Sequence, residues 1–296
     1  MDQAEKLRSV VKLKKQNYKP DARVITVTSG KGGVGKSNVA VNLAVQMQKM
    51  GKRVLVFDAD FGLANVEVMF GAIPKYNLAD VIYHGKQITE IISEGPMGIG
   101  FVSGGTGVTG LGNLIDEQIS YLLHCFGELD QMADVILVDT GAGIANHVLE
   151  FVLASPEVLV FTTPEQTSLR DSYSLLKSLY RNPKFDREYT KISVLSNRVI
   201  SAAEGRGVYD KLNTVVGQFL EGEITYAGMI PQDSALEKAI RMQKPVSLQA
   251  PLSKSARAFE VVAAELLQGE SSDAYRSFGL SRLFSGFWKQ KNEGVE

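Results

Sequence analysis

Short hydrophobic runs alternate with amphipathic stretches along most of the chain. The runs are RVITVTS, RVLVFDAD, GIGFVSG, DVILVDTG, EVLVFTT, KISVLSN and ITYAGMI. Strands that are apolar at almost every position are typical of parallel sheets covered on both faces. Amphipathic stretches lie between them, with apolar residues three and four apart over residues 37–50, 116–131, 165–180 and 253–268. We therefore predict an α/β fold over residues 23–268, with a single doubly wound, mostly parallel sheet of about seven to eight strands and helices on both faces.

The two ends of the chain differ from this middle. Residues 1–23 carry seven basic and three acidic side chains, and we interpret residues 1–22 as an arm appended to the fold. Residues 269–275 begin with the polar stretch GESSD and are predicted to be a linker. Residues 276–291 are predicted to form a separate amphipathic helix.

Composition limits the classes of function. Of the 296 residues, 44% are hydrophobic, and the formal net charge is −1. Because no basic excess is spread over the chain, no nucleic-acid partner is expected. The single cysteine, Cys125, excludes an internal disulfide framework and indicates a reducing, cytoplasmic compartment. No stretch approaches the roughly 20 apolar residues that span a bilayer, so membrane contact should be peripheral, at the inner face of the cell membrane.

A glycine-rich segment follows the first predicted strand. It reads GKGGVGKS and fits the pattern G-x-x-x-x-G-K-[ST]. Between a strand and a helix, such a loop turns its backbone N–H groups toward phosphate oxygens. Lys36 would reach the β and γ phosphates, and Ser37 would bind Mg²⁺. The predicted nucleotide contacts here are Gly30, Lys31, Gly32, Gly33, Val34, Gly35, Lys36, Ser37 and Asn38.

The first lysine of the loop, Lys31, has no role in that mechanism. The arrangement GKGGVGKS resembles the deviant phosphate loop of the MinD/ParA class of ATPases. This resemblance covers about residues 22–268 and implies that Lys31 reaches across a dimer interface to the partner's phosphates. It also implies ATP and Mg²⁺ as cofactors, a homodimer that forms with ATP, and slow, regulatory ATP hydrolysis. On residue type alone, a solvated loop lysine is the alternative.

Acidic residues follow two of the predicted strands. Asp58 and Asp60 end the run RVLVFDAD, and Asp139 lies four residues before Gly143 in VDTGAG. Ligands bind at this edge of open α/β sheets, where carboxylates suit a magnesium ion and its waters. Each acid taken singly is more often a helix cap or a turn residue. Three of them beside a phosphate loop favour the functional interpretation.

The resemblance assigns roles to these residues. The implied catalytic residues are Lys31, Lys36 and Asp60, with Asp60 orienting the attacking water. The implied metal ligands are Ser37, Asp58 and Asp139. Gly143 is implied to sense the γ phosphate.

Two further loops, SNR and IPQD, follow the sixth and seventh predicted strands. The resemblance implies that they hold the adenine base. The implied contacts are Asn197, Arg198, Pro231, Gln232 and Asp233. Turn chemistry at a strand end is the alternative for Arg198 and Asp233. The segment TTPEQTSLRDS resembles the dimer face of the same class, which places Glu165 and Asp171 at the interface with Lys31.

Near the C-terminus, apolar residues recur at helical spacing. They are Leu280, Leu283, Phe284, Phe287 and Trp288. A helix would gather them on one stripe, with Arg282 and Lys289 on the opposite face, as in helices that lie in the surface of an anionic membrane. MinD-like proteins end in such a helix, which favours this interpretation. A terminal helix packed on the protein's own core has the same spacing and is the alternative.

The N-terminal stretch DQAEKLR resembles the activating motif of MinD-like regulators of flagellar number and placement. In that family the motif stimulates an FlhF-type GTPase related to the signal recognition particle. The resemblance implies that Gln3 enters the GTP site of this partner, where a glutamine can orient water. It leaves open whether flagellar basal-body (C-ring) proteins are partners too.

Two other functions occur on the same predicted fold. A DNA-partition ATPase of the ParA class should carry a basic face on its main domain, whereas the clearest basic residues here lie in the two terminal segments. An iron–sulfur carrier needs at least two cysteine ligands per chain for a cluster shared by a dimer, and the chain has one cysteine. The partition ATPase is therefore the stronger alternative.

Overall fold

A computed structural model of the protein describes residues 22–60, 65–105, 114–268 and 279–285. Gln3 and nearly all of the predicted arm lie outside these residues, as do the predicted linker, Phe287 and Trp288.

The described strands form one eight-stranded sheet. They are Arg23–Ser29 (β1), Val54–Ala59 (β2), Ser93–Glu94 (β3), Gly100–Ser103 (β4), Val135–Ala142 (β5), Glu157–Thr162 (β6), Lys191–Val199 (β7) and Thr225–Pro231 (β8). The spatial order is β3-β4-β2-β5-β1-β6-β7-β8, and only β3 runs antiparallel to its neighbour. This confirms the predicted doubly wound, mostly parallel sheet. The pattern of the sequence did not show β3, because two residues are too few to display a period.

Helices cover both faces of the sheet. They are Lys36–Lys49 (α1), Val66–Phe70 (α2), Leu78–His84 (α3), Ile88–Ile91 (α4), Asp116–Met132 (α5), Asn146–Ala154 (α6), Gln166–Tyr180 (α7), Ala202–Leu220 (α8), Ser234–Arg241 (α9), Val246–Gln249 (α10) and Lys254–Gln268 (α11). Helix α8 was not among the predicted amphipathic stretches, although its buried residues recur every four positions from Val208 to Leu220. Among the described residues, no helix is both long and apolar enough to cross a membrane.

The central strand β1 is buried along its whole length between β5 and β6. At its start, Arg23 forms a two-pronged ion pair with Glu157, with nitrogen–oxygen distances of 2.6 and 2.7 Å. Its third nitrogen donates to the Leu266 carbonyl of α11 at 2.7 Å. Because a guanidinium and a carboxylate match in this geometry, the pair fixes β1 against β6 and α11. The other end of β1 leads directly into the glycine-rich loop.

The C-terminal segment packs on the domain. Residues 280–285 form a short helix, the tail helix, and Leu280, Leu283 and Phe284 are fully buried. The ring centroid of Phe284 lies 4.2 Å from that of Phe126, 5.1 Å from that of Phe151 and 5.5 Å from that of Phe57. Such aromatic clusters contribute beyond their buried area.

Leu280, Leu283 and Phe284 thus occupy the position that the alternative interpretation of the stripe gave them, in the hydrophobic core, and their contact with a membrane stays a prediction. One apolar stripe serves equally for a lipid surface and for an apolar groove. Contact with a membrane would require these three side chains to leave the core.

A buried carboxylate holds the start of the tail helix. Asp130 of α5 is 2% exposed and accepts hydrogen bonds from the backbone N–H groups of Leu280 and Ser281. These are first-turn donors that have no partner within a helix, so Asp130 caps the helix from a different element. The Ser281 hydroxyl adds a bond of 2.8 Å to the Leu123 carbonyl.

Replacing Phe284 by alanine tests the docking of the tail helix. We expect Phe284→Ala to lower the free energy of unfolding by about 3 kcal/mol, as for buried phenylalanines that leave a cavity. Phe219→Ala is the matched control, since Phe219 is 60% exposed. Urea denaturation of the nucleotide-free chain measures both. Equally small changes in the two variants would contradict a docked tail helix in solution.

Candidate nucleotide-binding site

The glycine-rich loop joins β1 to α1 at the carboxyl edge of the sheet. Gly33 and Gly35 have φ angles of +75° and +97°, which residues with a side chain rarely adopt. Gly35 is the residue that precedes α1, and Lys36 and Ser37 begin the helix. Backbone N–H groups at the start of a helix have no intrahelical acceptor and attract anions. The predicted phosphate loop is therefore built as its sequence suggested.

Gly30 is required for a different reason, which is close packing. A β-carbon at this position would lie 2.2 Å from the carbonyl carbon and oxygen of Asp171 and 2.5 Å from the Ser172 nitrogen. The start of the loop thus presses directly on the backbone of α7. Asp171, predicted at a dimer interface, contributes its backbone to this contact, while its carboxylate pairs with Arg170 at 3.0 Å.

Lys36 and Asp139 form the centre of the site. The Lys36 Nζ lies 3.4 Å from Asp139 Oδ1, and the Asp139 side chain is fully buried. Burial raises the pKa of Asp139, and the adjacent Lys36 and Ser37 oppose that rise. Lys36, predicted to reach the phosphates, and Ser37, predicted to bind Mg²⁺, thus both lie next to Asp139.

The remaining oxygen of this carboxylate fits a role in metal binding. Asp139 Oδ2 is buried and has no hydrogen-bond partner among the residues that the structure describes. Buried polar atoms are nearly always satisfied, so an orphaned carboxylate oxygen beside a serine hydroxyl suits Mg²⁺ or a water bound to it. Ser37 and Asp139 are therefore the residues that would hold the ion, which would neutralise phosphate charge when bound.

Asp58 has a different environment from the one predicted. It is 1% exposed, and its carboxylate accepts the backbone N–H groups of Asp60, Asn65 and Val66, each at 3.1 Å. Burial, followed by repulsion from Asp139, raises its pKa to about 7. Asp58 was predicted as a metal ligand, but both of its oxygens anchor the two ends of the loop that leads to α2. This use of a buried acid as an anchor is invisible in the sequence.

Asp60 and Gly143 flank the same space. Asp60 is half-buried, lines the cavity beside the loop and accepts a bond of 3.3 Å from the Asn65 amide. This placement fits its predicted role of orienting water. The Gly143 N–H donates to the Ser29 carbonyl at 2.8 Å, so in this conformation it is not directed at a γ phosphate. Sensing by Gly143 would require that bond to break.

Two adjoining cavities extend along the loop. The first, of about 450 Å³, is lined by Gly33, Lys36, Ser37 and Asp60, and the second has a volume of about 430 Å³. All predicted base contacts line the second cavity, namely Asn197, Arg198, Pro231, Gln232 and Asp233. Gly35, Asn38, Arg198 and Ile240 line both cavities. The phosphate and base ends of a nucleotide therefore have one continuous groove.

Helix α9 supplies residues to the second cavity that the sequence analysis missed. They are Leu236, Glu237, Ile240 and Arg241. The signal that could have found them is the strongly amphipathic stretch directly after IPQD. Asp233 caps this helix by accepting the Ala235 N–H at 2.9 Å, and it also accepts the Ser255 hydroxyl at 2.8 Å. Asp233 thus has a structural role at the start of α9, and its contact with a base stays a prediction.

Lys31 is held on the surface of its own chain. Its Nζ lies 2.8 Å from Glu165 Oε2 and 2.9 Å from the Thr167 hydroxyl. The hydrogen bond from Lys31, with a smaller contribution from the charge of Arg198, lowers the pKa of Glu165. Lys31 is not among the residues that line the cavity at the phosphate loop. Two residues predicted at the dimer face, Lys31 and Glu165, thus lie together at an exposed position.

The pKa of Asp58 predicts a dependence of stability on pH. The value is raised from 3.8 to about 7, so between these pH values the unfolded chain releases a proton that the folded chain retains. Stability therefore falls as the pH rises through this range. Without nucleotide and Mg²⁺, we expect the free energy of unfolding of the wild type to fall more steeply with rising pH than that of the Asp58→Asn variant. Urea denaturation across the range measures both, and parallel curves would refute the assignment.

Comparison with known proteins agrees with this geometry. Antiactivator FleN of Pseudomonas aeruginosa is 41% identical over 244 residues, which cover 82% of this chain and 86% of FleN. The flagellum site-determining protein YlxH of Helicobacter pylori is 32% identical over 280 residues, or 90% of each chain. Both similarities extend over most of the described fold.

Solved structures show the same fold. The septum site-determining protein MinD of Pyrococcus horikoshii, complexed with Mg-ADP, has a TM-score of 0.65 and 23% identity, covering 85% of this chain and 99% of that one. The MinC:MinD complex of Aquifex aeolicus matches with a TM-score of 0.65 and 26% identity, covering 85% and 97%. The model of the CobQ/CobB/MinD/ParA nucleotide binding domain matches residues 25–246. Because that match runs from β1 to the start of α10 and encloses the phosphate loop, the chain belongs to the CobQ/CobB/MinD/ParA family and is an ATPase of the MinD type.

Proposed function

We propose that this ATPase regulates the number and placement of flagella by forming a homodimer when it binds ATP. The names of FleN and YlxH, an antiactivator and a flagellum site-determining protein, support the flagellar role. The observation that carries the dimer is the position of Lys31, which is exposed beside Glu165 rather than directed into its own phosphate cavity. A lysine so placed can serve the phosphates of a second copy.

The residues of the site support slow hydrolysis. Loop N–H groups and Lys36 bind the phosphates, Ser37 and Asp139 hold Mg²⁺, and Asp60 orients the attacking water. Lys31 of the partner copy adds positive charge where the transition state develops negative charge, as an arginine finger does in other phosphoryl-transfer enzymes. Hydrolysis is then low in the monomer and rises on dimerisation.

Substituting the two loop lysines separates binding from activation. We expect Lys36→Gln to abolish ATP binding and hydrolysis, whereas Lys31→Ala should bind ATP and lose hydrolysis by about 100-fold or more, by analogy with a charge supplied in trans. Lys86→Ala is the control, since Lys86 pairs with Glu90 on another surface. Phosphate release and sedimentation in ATP and ADP are the measurements. Full activity of Lys31→Ala would contradict the proposal.

We propose further that ATP releases the tail helix toward an anionic membrane surface. Phe284 contacts Phe57, the residue before Asp58, and Phe151 of α6, which follows the loop with Gly143. Rearrangement of either loop around ATP therefore reaches the groove that holds the tail helix. A single interfacial helix binds lipid weakly, and two in a dimer gain avidity. The protein would thus be peripheral to the inner face of the cell membrane only in its dimeric state.

Flotation with anionic liposomes tests this release. We expect the intact chain to bind vesicles with ATP and not with ADP, while Lys36→Gln and a truncation after Asp273 should fail to bind in either nucleotide. Asp130→Ala removes the carboxylate that caps the docked tail helix and should allow binding with ADP too. If the intact chain ignores lipid in both nucleotides, the tail helix is structural.

The partner proposal concerns the N-terminus. We propose that Gln3 acts on an FlhF-type GTPase by entering its GTP site, with basal-body (C-ring) proteins as further partners. The support is the motif DQAEKLR together with the similarity to YlxH over 90% of this chain. No nucleic-acid partner is proposed.

A further inference from the structure

The end of β7 touches the phosphate loop directly. Asn197 is 4% exposed, and its side-chain amide donates to the Val34 carbonyl at 2.7 Å. The Arg198 guanidinium donates to the Gly33 carbonyl at 2.9 Å. The carbonyl oxygen of the Asn197 side chain accepts the Arg198 backbone N–H at 2.9 Å. Two consecutive carbonyls of the loop are therefore held by two consecutive residues of another strand.

Because the peptide bond is planar, these contacts also orient the next two N–H groups of the loop. In a trans peptide, the C=O and the following N–H point in opposite directions. Holding the carbonyls of Gly33 and Val34 toward β7 therefore turns the N–H groups of Val34 and Gly35 the other way. Within the described part of the chain, neither N–H has a backbone acceptor. They are oriented and unpaired, as a phosphate-binding nest requires.

The fit between the two segments is tight. A β-carbon on Gly35 would lie 3.0 Å from the Asn197 amide nitrogen. Arg198 has a φ of +57°, a conformation unfavourable for residues other than glycine, asparagine and aspartate. The pairing of β7 with β8 is irregular between Asn197 and Val199. Backbone strain of this kind persists where surrounding contacts enforce it. Here the strained conformation of Arg198 places its guanidinium against the Gly33 carbonyl of the loop.

We propose that Asn197 and Arg198 are positioning residues that fix the phosphate-binding conformation of the loop, whichever base the nucleotide carries. This differs from the adenine contact that the family resemblance implies for them. The proposal rests on the proposed function of the groove as an ATP site. The Asn197 side chain donates to the loop through its nitrogen and accepts the Arg198 N–H through its oxygen. Both contacts act on the conformation of the loop, which binds the phosphates.

Calorimetric titration with two ligands, ATP and inorganic tripolyphosphate, separates the two roles. Positioning affects the phosphates that both ligands share, whereas a base contact affects ATP alone. For Asn197→Ala we expect about tenfold weaker binding of both ligands, as for the loss of one buried hydrogen bond. For Arg198→Met we expect about threefold weaker binding of both, since this side chain is exposed.

Matched variants separate the hydrogen bond from charge and from folding. Arg198→Gln keeps a donor without the charge, whereas Arg198→Met has neither donor nor charge, so we expect both ligands to bind less weakly to Arg198→Gln than to Arg198→Met. Arg206→Met is the control, because Arg206 pairs with Asp210 at 3.2 Å and stacks on Tyr209. Thermal unfolding without ligand should give equal midpoints for the wild type and the Arg198 variants.

Each contrary result has a distinct meaning. Weaker binding of ATP with unchanged binding of tripolyphosphate would overturn the proposal in favour of base contact. Equal losses in Arg198→Gln and Arg198→Met would overturn the role of the Arg198 hydrogen bond. A wild-type chain that binds ATP but not tripolyphosphate would show that the oriented loop alone does not hold phosphate, which also overturns it. A wild-type chain that binds neither ligand would instead refute the proposed ATP site.

Discussion

Two buried carboxylates lie at the carboxyl edge of the sheet, and a lysine of the phosphate loop pairs with one of them. Asp58 and Asp139 are register partners on β2 and β5, and both are buried. Lys36 is the cation within reach of Asp139. Like charges in a poorly solvated site oppose each other, so one acid is driven toward its neutral form. A positive charge at this point offsets the repulsion between the two acids. Lys36 supplies one, and a bound Mg²⁺ would supply another.

This constraint extends outward through adjacent residues. Asp58 anchors the loop that carries Asp60, so the protonation state of the buried pair and the position of Asp60, the residue proposed to orient water, are linked. One residue earlier, Phe57 points to the opposite face of β2, as alternation in a strand requires, and contacts Phe284 of the tail helix. A single strand therefore connects the phosphate end of the groove with the docked C-terminal segment. No further structural element is needed to couple them.

The other side of the loop has its own set of supports. Gly30 is pressed against α7, Lys31 is paired with Glu165 at the start of α7, and Asn197 and Arg198 hold the next peptides from β7. These contacts come from segments more than 130 positions away along the chain. A loop rich in glycine has little conformational preference of its own, so these contacts select the conformation that it adopts.

The sequence by itself determined the fold class, the strand that precedes the phosphate loop and the identity of the loop, because these depend on local periodicity and on residue types at fixed spacing. Tertiary structure alone decided the pairing of Asp58 with backbone N–H groups, the contact of Lys31 with Glu165 and the orientation of Asn197 and Arg198. It also decided that Phe284 enters the core. In each of these cases the residue type suits several environments, and only contacts between distant segments select one of them.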